Sequence, residues 1–349
     1  MFLKDMYSDY KFFSSTHDTT LKIFFILMFC HPLLMLTVRS WSSGIYSLLA
    51  LLATVYLFRN KNYQVSKEVK VYAWIVFLFF ISILVSSTLN DWTYNSYRRL
   101  GMEIKILLAV PFVILVSQHK EIRKWFIYSI PLAGIILGLH GLFEIFIMNE
   151  PYVNSSYGKI ITGDIAGLLV GLSGVIFIYS KDSFIKKICL LSMLLAAIAC
   201  ILTTSRNGWL VLAFSLLFLF LIYFRKNKKS AFLLLLLPII TFFVAINTDI
   251  TRVFFNKAFS EFNVYSNKVK RDEIDLRDSS TGYRLESWRV AILAYPENPI
   301  FGVGPGNTSL VFNKYIEKGL ADPDLYHSSA SYSMGHSHNQ YVDTLLVQG

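Results

Sequence analysis

Two histidines lie close to the end of the sequence, in the stretch GHSHNQYVDTLLVQG of residues 335–349. An imidazole, whose pKa is ordinarily about 6.5, can take a proton from a hydroxyl group near neutral pH. His338 is therefore a candidate general base. His336 and Asn339 flank it in sequence and are candidates for orienting that base or its substrate.

Two arginines have the chemistry to bind an anion. Arg206 lies in ILTTSRNGWL, at the edge of an apolar run, and Arg284 lies in GYRLESWRVAILAYP. A guanidinium can bind a phosphate through two parallel hydrogen bonds. Apolar residues follow Arg284 at helical spacing, namely Leu285, Trp288, Ile292 and Tyr295. This spacing predicts an amphipathic helix that lies over the outer opening of the membrane-spanning bundle. Arg284 would lie near the positive end of the dipole of this helix.

Each of these residues also has an ordinary structural interpretation. Arg206 could extend from an interface to water, Arg284 could be a solvated charge, and His338 could cap a helix. Arg98 and Arg99 could extend an anion site or simply anchor a span at the interface. Their placement on one face of a membrane is what favours function.

The composition indicates the elements that must position these residues. Of the 349 residues, 54% are hydrophobic and 16% are charged, and the mean hydropathy is +0.49. The apolar residues occur in long blocks, which exceed what one soluble core can bury. The sequence therefore predicts an all-α polytopic membrane protein.

Runs long enough to cross about 30 Å of hydrocarbon predict nine transmembrane helices within residues 1–247. They lie near 21–38, 41–58, 71–89, 102–118, 124–147, 160–179, 184–203, 207–224 and 231–247. A long loop follows at 248–337. A tenth span begins at 338–349, so we expect the chain to be the front part of a longer protein and to be inactive by itself.

Lys and Arg residues are unequally divided between the short loops. The loops after the second, fourth, sixth and eighth spans carry 14 of them, and the loops after the first, third, fifth and seventh carry five. Because cytoplasmic loops retain positive charge, the amino terminus is predicted to be cytoplasmic and the 248–337 loop periplasmic. The net charge of +10 thus reports topology and contact with anionic lipid, with no nucleic-acid partner.

Metal chemistry has weak support in the sequence. Asp272, Glu273 and Asp275 have the oxygen ligands of a hard cation, but neighbouring arginines favour a solvated loop. His336 and His338 lack a third zinc ligand unless His327 supplies one. Cys30, Cys189 and Cys200 fall inside apolar spans and indicate no disulfide. Glu144 and Asp164 also fall inside spans and should face the interior of the bundle.

Together, TTSRNGWL, GYRLESWRVAILAYPENPIFGVGPGN and HSHNQYVDTLLVQG resemble the bacterial O-antigen ligase family, whose superfamily includes O-antigen polymerases and protein O-oligosaccharyltransferases. The specific part of the resemblance covers about Thr203 to Gly349. His338, Asn339 and, after nine intervening residues, Gly349 match the His-Asn, nine residues, Gly pattern of the family. Arg206 and Arg284 match its two functional arginines.

The resemblance implies a GT-C-like helical bundle in the bacterial inner membrane, with a long, partly helical periplasmic catalytic loop. It implies transfer of a glycan from undecaprenyl diphosphate to a sugar hydroxyl of lipid A-core, with inversion and without a metal or cofactor, for lipopolysaccharide biosynthesis. His338 would be the base, and Arg206 and Arg284 would hold the diphosphate. Arg98, Arg99, His336 and Asn339 would contact substrate.

Two alternatives remain open at this point. An O-antigen polymerase would use the same donor with a second lipid-linked repeat as acceptor, and only Arg271 to Gly282 fits the Arg, ten residues, Gly spacing of polymerases. A transporter would carry charges along several spans and broken helices at the midplane. The concentration of polar residues in one outer loop favours the enzyme.

Overall fold

The computed structural model of the protein describes residues 18–61, 63–90, 92–225, 256, 259, 260, 262, 263, 280–325 and 339–349. Its helices are α1 (Thr19–Leu34), α2 (Trp41–Arg59), α3 (Lys67–Leu89), α4 (Tyr94–Gln118), α5 (Lys120–Phe146), α6 (Lys159–Tyr179), α7 (Ser183–Leu202), α8 (Arg206–Phe224), α9 (Ser280–Ala294), α10 (Thr308–Glu317) and α11 (Gln340–Gln348). Short 3-10 turns cover Tyr295–Glu297 and Pro323–Leu325. No strand occurs among these residues.

Seven of the described helices, α2 to α8, are long and apolar enough to cross a membrane. They coincide with the second to eighth predicted spans, and the first predicted span coincides with the shorter apolar helix α1. The predicted ninth span at 231–247 lies outside the described residues. The prediction of an all-α polytopic membrane protein is thus confirmed, whereas the count of nine spans and the domain bounds stay predictions.

The chain forms two compact units. Unit 1 comprises Met1–Val65 and Pro111–Asn247, and unit 2 comprises Ser66–Val110 and Thr248–Gly349. In unit 1, α6 packs against α7 and α8, α5 packs against α7, and α1 packs against α2 and α5. In unit 2, α9 packs against α10 and α11, and α11 also contacts α3.

Glycines on one side of α6 allow α8 to pack closely against it. A Cβ placed on Gly167 would lie 2.8 Å from the backbone nitrogen of Leu212 in α8, and one on Gly171 would lie 2.9 Å from Ser215 Oγ. Because real Cβ atoms do not approach other atoms so closely, only glycine permits this separation of the two helices. The TGDIAGLLVG stretch of α6 therefore fixes the position of α8.

Two acidic residues lie within the helices of unit 1, as the sequence indicated. Glu144 in α5 is buried and accepts hydrogen bonds from the backbone N–H groups of Asn154 (3.0 Å) and Ser155 (2.8 Å). Ser155 has a left-handed backbone, with φ of 51°. Glu144 therefore holds the α5–α6 connection in a conformation that non-glycine residues rarely adopt. Asp164 in α6 is half-buried.

Candidate functional site

Arg206 is the first residue of α8, and the TTSRNG sequence explains why the helix begins there. The Thr203 hydroxyl donates to the Cys200 carbonyl (2.7 Å) and accepts from the Ser205 N–H (3.2 Å). Thr204 has a left-handed backbone, with φ of 54°, which turns the chain out of α7. Ser205 then caps α8, because its hydroxyl accepts a hydrogen bond from the Gly208 N–H (3.4 Å).

The start of α8 is held against α6 by two facing glycines. A Cβ on Gly208 would lie 2.8 Å from the backbone of Gly163, so the two helices touch through their main chains at this level. Arg206 is exposed, and no described carboxylate lies within 4.0 Å of its guanidinium. An exposed cation beside the first N–H groups of a rigidly held helix is suited to binding an anion.

Arg284 is half-buried in α9 of unit 2. The sequence places Arg284 at the start of this helix, and this expectation is wrong. The helix α9 begins at Ser280 and includes Thr281, so Arg284 is its fifth residue. The side of α9 that is buried within the protein differs from the apolar series Leu285, Trp288, Ile292 and Tyr295. Ile292 is 58% exposed, whereas Glu286, Val290, Ala291 and Ala294 are buried.

An ion pair between a buried glutamate and a partly exposed arginine accounts for the face that α9 turns inward. Glu286 is completely buried and accepts a hydrogen bond from Arg289 Nε (2.7 Å) and from the Asp322 N–H (3.2 Å). Arg289 also donates to the Leu320 carbonyl (2.7 Å). A buried carboxylate needs such partners. The pair fixes the 320–322 segment against the helix that carries Arg284.

Asn339 is the N-cap of α11. Its side-chain oxygen accepts hydrogen bonds from the N–H groups of Tyr341 (3.0 Å) and Val342 (3.4 Å). His336 and His338 lie outside the described residues, so their roles stay predictions. The cap places Asn339 directly before α11, which begins at Gln340.

The FGVGPGN stretch forms a junction, residues 301–307, that holds α11. The Val303 N–H donates to the Leu346 carbonyl (2.9 Å), and the Gly304 N–H donates to the Val347 carbonyl (3.1 Å). Ser86 of α3 donates to the same Val347 carbonyl (2.9 Å). Gly302 has a φ of 60° and lies so close to Val347 that a Cβ would meet its carbonyl carbon at 2.2 Å. Glycine is thus required in this turn-rich stretch for two reasons: a side chain would collide with neighbouring atoms, and the positive φ disfavours other residues.

The same junction positions the beginning of α4. The Asn307 side-chain oxygen accepts hydrogen bonds from the hydroxyls of Thr93 (3.0 Å) and Ser96 (3.3 Å). Arg98 and Arg99 lie within the first two turns of α4, which starts at Tyr94 instead of near residue 102. Arg98 is exposed, and Arg99 Nε contacts Glu103 Oε1 at 2.9 Å.

The structure brings Arg99 and α11 to one cavity of unit 2, with a volume of about 280 Å³. Its lining comes from α3, α4, the 305–308 segment and α11 and comprises Phe79, Ile83, Arg99, Glu103, Ile106, Pro305, Gly306, Thr308, Gln340, Asp343, Thr344, Val347 and Gln348. The sequence reasoning did not single out Glu103 or Asp343. The spacing of four residues between Arg99 and Glu103 on a helix was the available signal.

The possible cation ligands Asp272, Glu273 and Asp275, and the third histidine His327, lie outside the described residues. Within the described part of the chain, no group of three or more His, Cys, Asp and Glu residues could hold a metal ion.

Seven long apolar helices make this a multi-pass membrane protein. Residues 191–349 match the family model described as O-antigen ligase, a range that includes Arg206, Arg284 and His338. This match supports its membership of the O-antigen ligase family, and with it an O-antigen ligase or polymerase type of activity on lipid-linked glycans. The chain is also 26% identical over 304 residues to an uncharacterized protein of Haemophilus influenzae (strain ATCC 51907 / DSM 11121 / KW20 / Rd), covering 83% of this chain and 70% of that protein.

Proposed function

We propose that the protein is an O-antigen ligase-type glycosyltransferase. It moves a glycan from undecaprenyl diphosphate to a sugar hydroxyl of lipid A-core, at the periplasmic face of the bacterial inner membrane, with inversion and without a metal. The family match over residues 191–349 supports this proposal. The observation that carries it is the exposed guanidinium of Arg206 at the start of a helix held through Gly163 and Gly208.

The proposed chemistry begins at the diphosphate. Negative charge develops on the leaving group as the bond from the anomeric carbon to the phosphate oxygen breaks, and fixed guanidiniums stabilise that charge. The guanidinium of Arg206 and the backbone N–H groups of Arg206 and Asn207 fulfil this role, and Arg284 adds a second guanidinium. His338 removes the proton of the acceptor hydroxyl as it attacks the anomeric carbon, which inverts the configuration there. Arg98 and His336 are proposed to contact substrate.

The proposal is tested by transfer in vitro. The full-length protein is given undecaprenyl-diphosphate-linked glycan and purified lipid A-core, with EDTA present. We expect transfer by the wild type and losses of several orders of magnitude in Arg206→Ala, Arg284→Ala and His338→Ala. Arg225→Ala is the matched control, because this exposed arginine lies at the opposite end of α8. It should transfer at the wild-type rate.

Each other outcome of this assay identifies a different function. Lengthening of the donor without modification of lipid A-core would make the protein a polymerase. Loss of transfer in EDTA, restored by a divalent cation, would overturn the metal-free mechanism. If neither product forms and proteoliposomes show ion flux, the transporter interpretation replaces the enzyme.

A further inference from the structure

The cavity beside Arg99 differs in charge from a diphosphate site. Arg99 is the one cation among the described residues that line it, and its Nε atom is 2.9 Å from Glu103 Oε1. Asp343 adds a second carboxylate, so the described residues of the lining carry a formal charge of −1. A diphosphate entering here would be repelled. The guanidinium that the sequence offered as an extension of a phosphate site is thus already paired with an acid.

The same groups suit a ligand with many hydroxyls. Glu103 and Asp343 can accept hydrogen bonds from hydroxyl groups, and Gln340 and Thr344 can donate or accept. Hydrogen bonds to charged groups are stronger than those between neutral groups, so the carboxylates would contribute most to binding. Glu103 is 18% exposed, while the Arg99 side chain is 40% exposed, so the acid fixes the arginine at the edge of the cavity.

The remaining walls and the size favour one sugar ring. Ile83, Ile106 and Val347 provide apolar surface, which the C–H groups of a pyranose can contact. The volume of about 280 Å³ is near the lower end of the range of about 300–1,000 Å³ for small-molecule pockets. Such a cavity is too small for several sugars at once.

The cavity is built on the helix that follows the candidate base. Gln340 is the first residue of α11 and lines the cavity, and Asp343 and Thr344 follow one turn later. We propose that this cavity binds a neutral pyranose of the acceptor, with Glu103 and Asp343 accepting hydrogen bonds from its hydroxyls and Glu103 positioning Arg99. The assignment to the acceptor rests on the proposed function, whereas the affinity of the cavity for a sugar does not.

The first test measures binding to the full-length protein in lipid nanodiscs. One probe is deacylated core oligosaccharide, followed by saturation-transfer NMR, and the other is inorganic pyrophosphate. We expect Asp343→Asn and Glu103→Gln to weaken oligosaccharide binding at least tenfold and to leave pyrophosphate binding unchanged. Glu317→Gln is the control for removing a carboxylate, because Glu317 is exposed on α10 of the same unit and does not line the cavity.

Thr344→Val is a second probe that keeps the side-chain shape, in case loss of a charge impairs folding. It should weaken oligosaccharide binding less than Asp343→Asn does. Unchanged oligosaccharide affinity in all three cavity variants would overturn the proposal. So would the absence of oligosaccharide binding in the wild type, or tighter pyrophosphate binding in the carboxylate variants, since the latter would identify an anion site.

A kinetic readout separates this inference from the proposed function. In transfer assays, Asp343→Asn should raise the KM for lipid A-core at least tenfold without changing the KM for the lipid-linked donor. If the wild type transfers glycan and Asp343→Asn has unchanged oligosaccharide affinity and KM, the cavity assignment is wrong while the proposed function stands. If the oligosaccharide binds as expected but no glycan is transferred, the proposed function fails and the sugar site remains.

Discussion

Gly208→Ala should reduce activity by displacing the start of α8. The new Cβ would lie 2.8 Å from Gly163 Cα, and ordinary contact begins at 3.4 Å, so the helices must separate by at least about 0.6 Å at this level. The Gly163 atoms that the new Cβ would meet are backbone atoms, which cannot rotate away as a side chain can. Overpacking of this kind costs about 1–3 kcal/mol of stability. Displacement of a substrate-positioning group by 1 Å can cost about 100-fold in rate, so we expect kcat to fall by roughly 10- to 100-fold.

Substitutions at two further glycines distinguish displacement of the start of α8 from a general loss of protein stability. Gly171→Ala overpacks the same α6–α8 contact, where the Cβ would meet Ser215 Oγ at 2.9 Å, but it lies eight residues, or about 12 Å, along α6 from Gly163. We expect it to lower the melting temperature with a smaller effect on kcat. Gly44→Ala has nothing within 4 Å of the new Cβ and should leave both quantities unchanged or slightly raise stability.

The measurements are glycan transfer under saturating substrates and thermal unfolding followed by intrinsic fluorescence, on equal amounts of each purified variant. Wild-type kcat in Gly208→Ala, accompanied by the expected loss of stability, would refute the idea that the α6–α8 contact positions Arg206. Equal losses of kcat in Gly208→Ala and Gly171→Ala would attribute the effect to stability alone.

Two other predictions concern unit 2. Asn339→Ala removes the cap of α11 and should lower the stability of this helix by about 1 kcal/mol, which would be measured as faster amide exchange in its first turn. Asn339→Asp should restore the cap. If glycan transfer recovers in Asn339→Asp, the role of this residue is capping and not substrate contact. The hydrogen bond from Lys314 lowers the pKa of Glu297, so its contribution to stability is complete above the ordinary glutamate pKa and is lost as the pH falls through the lowered value. Glu297→Gln should therefore reduce the fall in melting temperature between neutral pH and pH of about 3, and an unchanged fall would contradict this assignment.

The membrane helices could be predicted from the sequence because each one is a long apolar run, and hydropathy is a local property. The helix around Arg284 was also predicted from spacing, but its buried face was not. Apolar periodicity pointed to Leu285, Trp288 and Ile292, whereas the inward face is centred on Glu286. Arg289 compensates its charge, and the backbone N–H of the distant Asp322 donates a hydrogen bond to it. A buried carboxylate with such partners has no signature in a hydrophobic pattern, because its partners are found only when the chain folds.

The candidate site, too, could be predicted from the sequence only in part. The capping role of Ser205 follows from residue type and position, and so does the turn-rich character of residues 301–307. The cavity beside Arg99 could not be predicted, because Glu103 and Asp343 are 240 residues apart in sequence and are joined only by the packing of α4 and α11.

The junction that holds α11 has a consequence for the order of folding. Ser86 donates to the carbonyls of Phe301 and Val347, which lie 215 and 261 residues later in the chain. Contacts between such distant residues cannot form until nearly all of the intervening polypeptide has been synthesised, and they close slowly because of the loop entropy that must be lost. The helix beside His338 therefore docks among the last events of biogenesis. Synthesis must therefore pass residue 347 before Ser86 can hold α11, the helix that follows the proposed base in sequence.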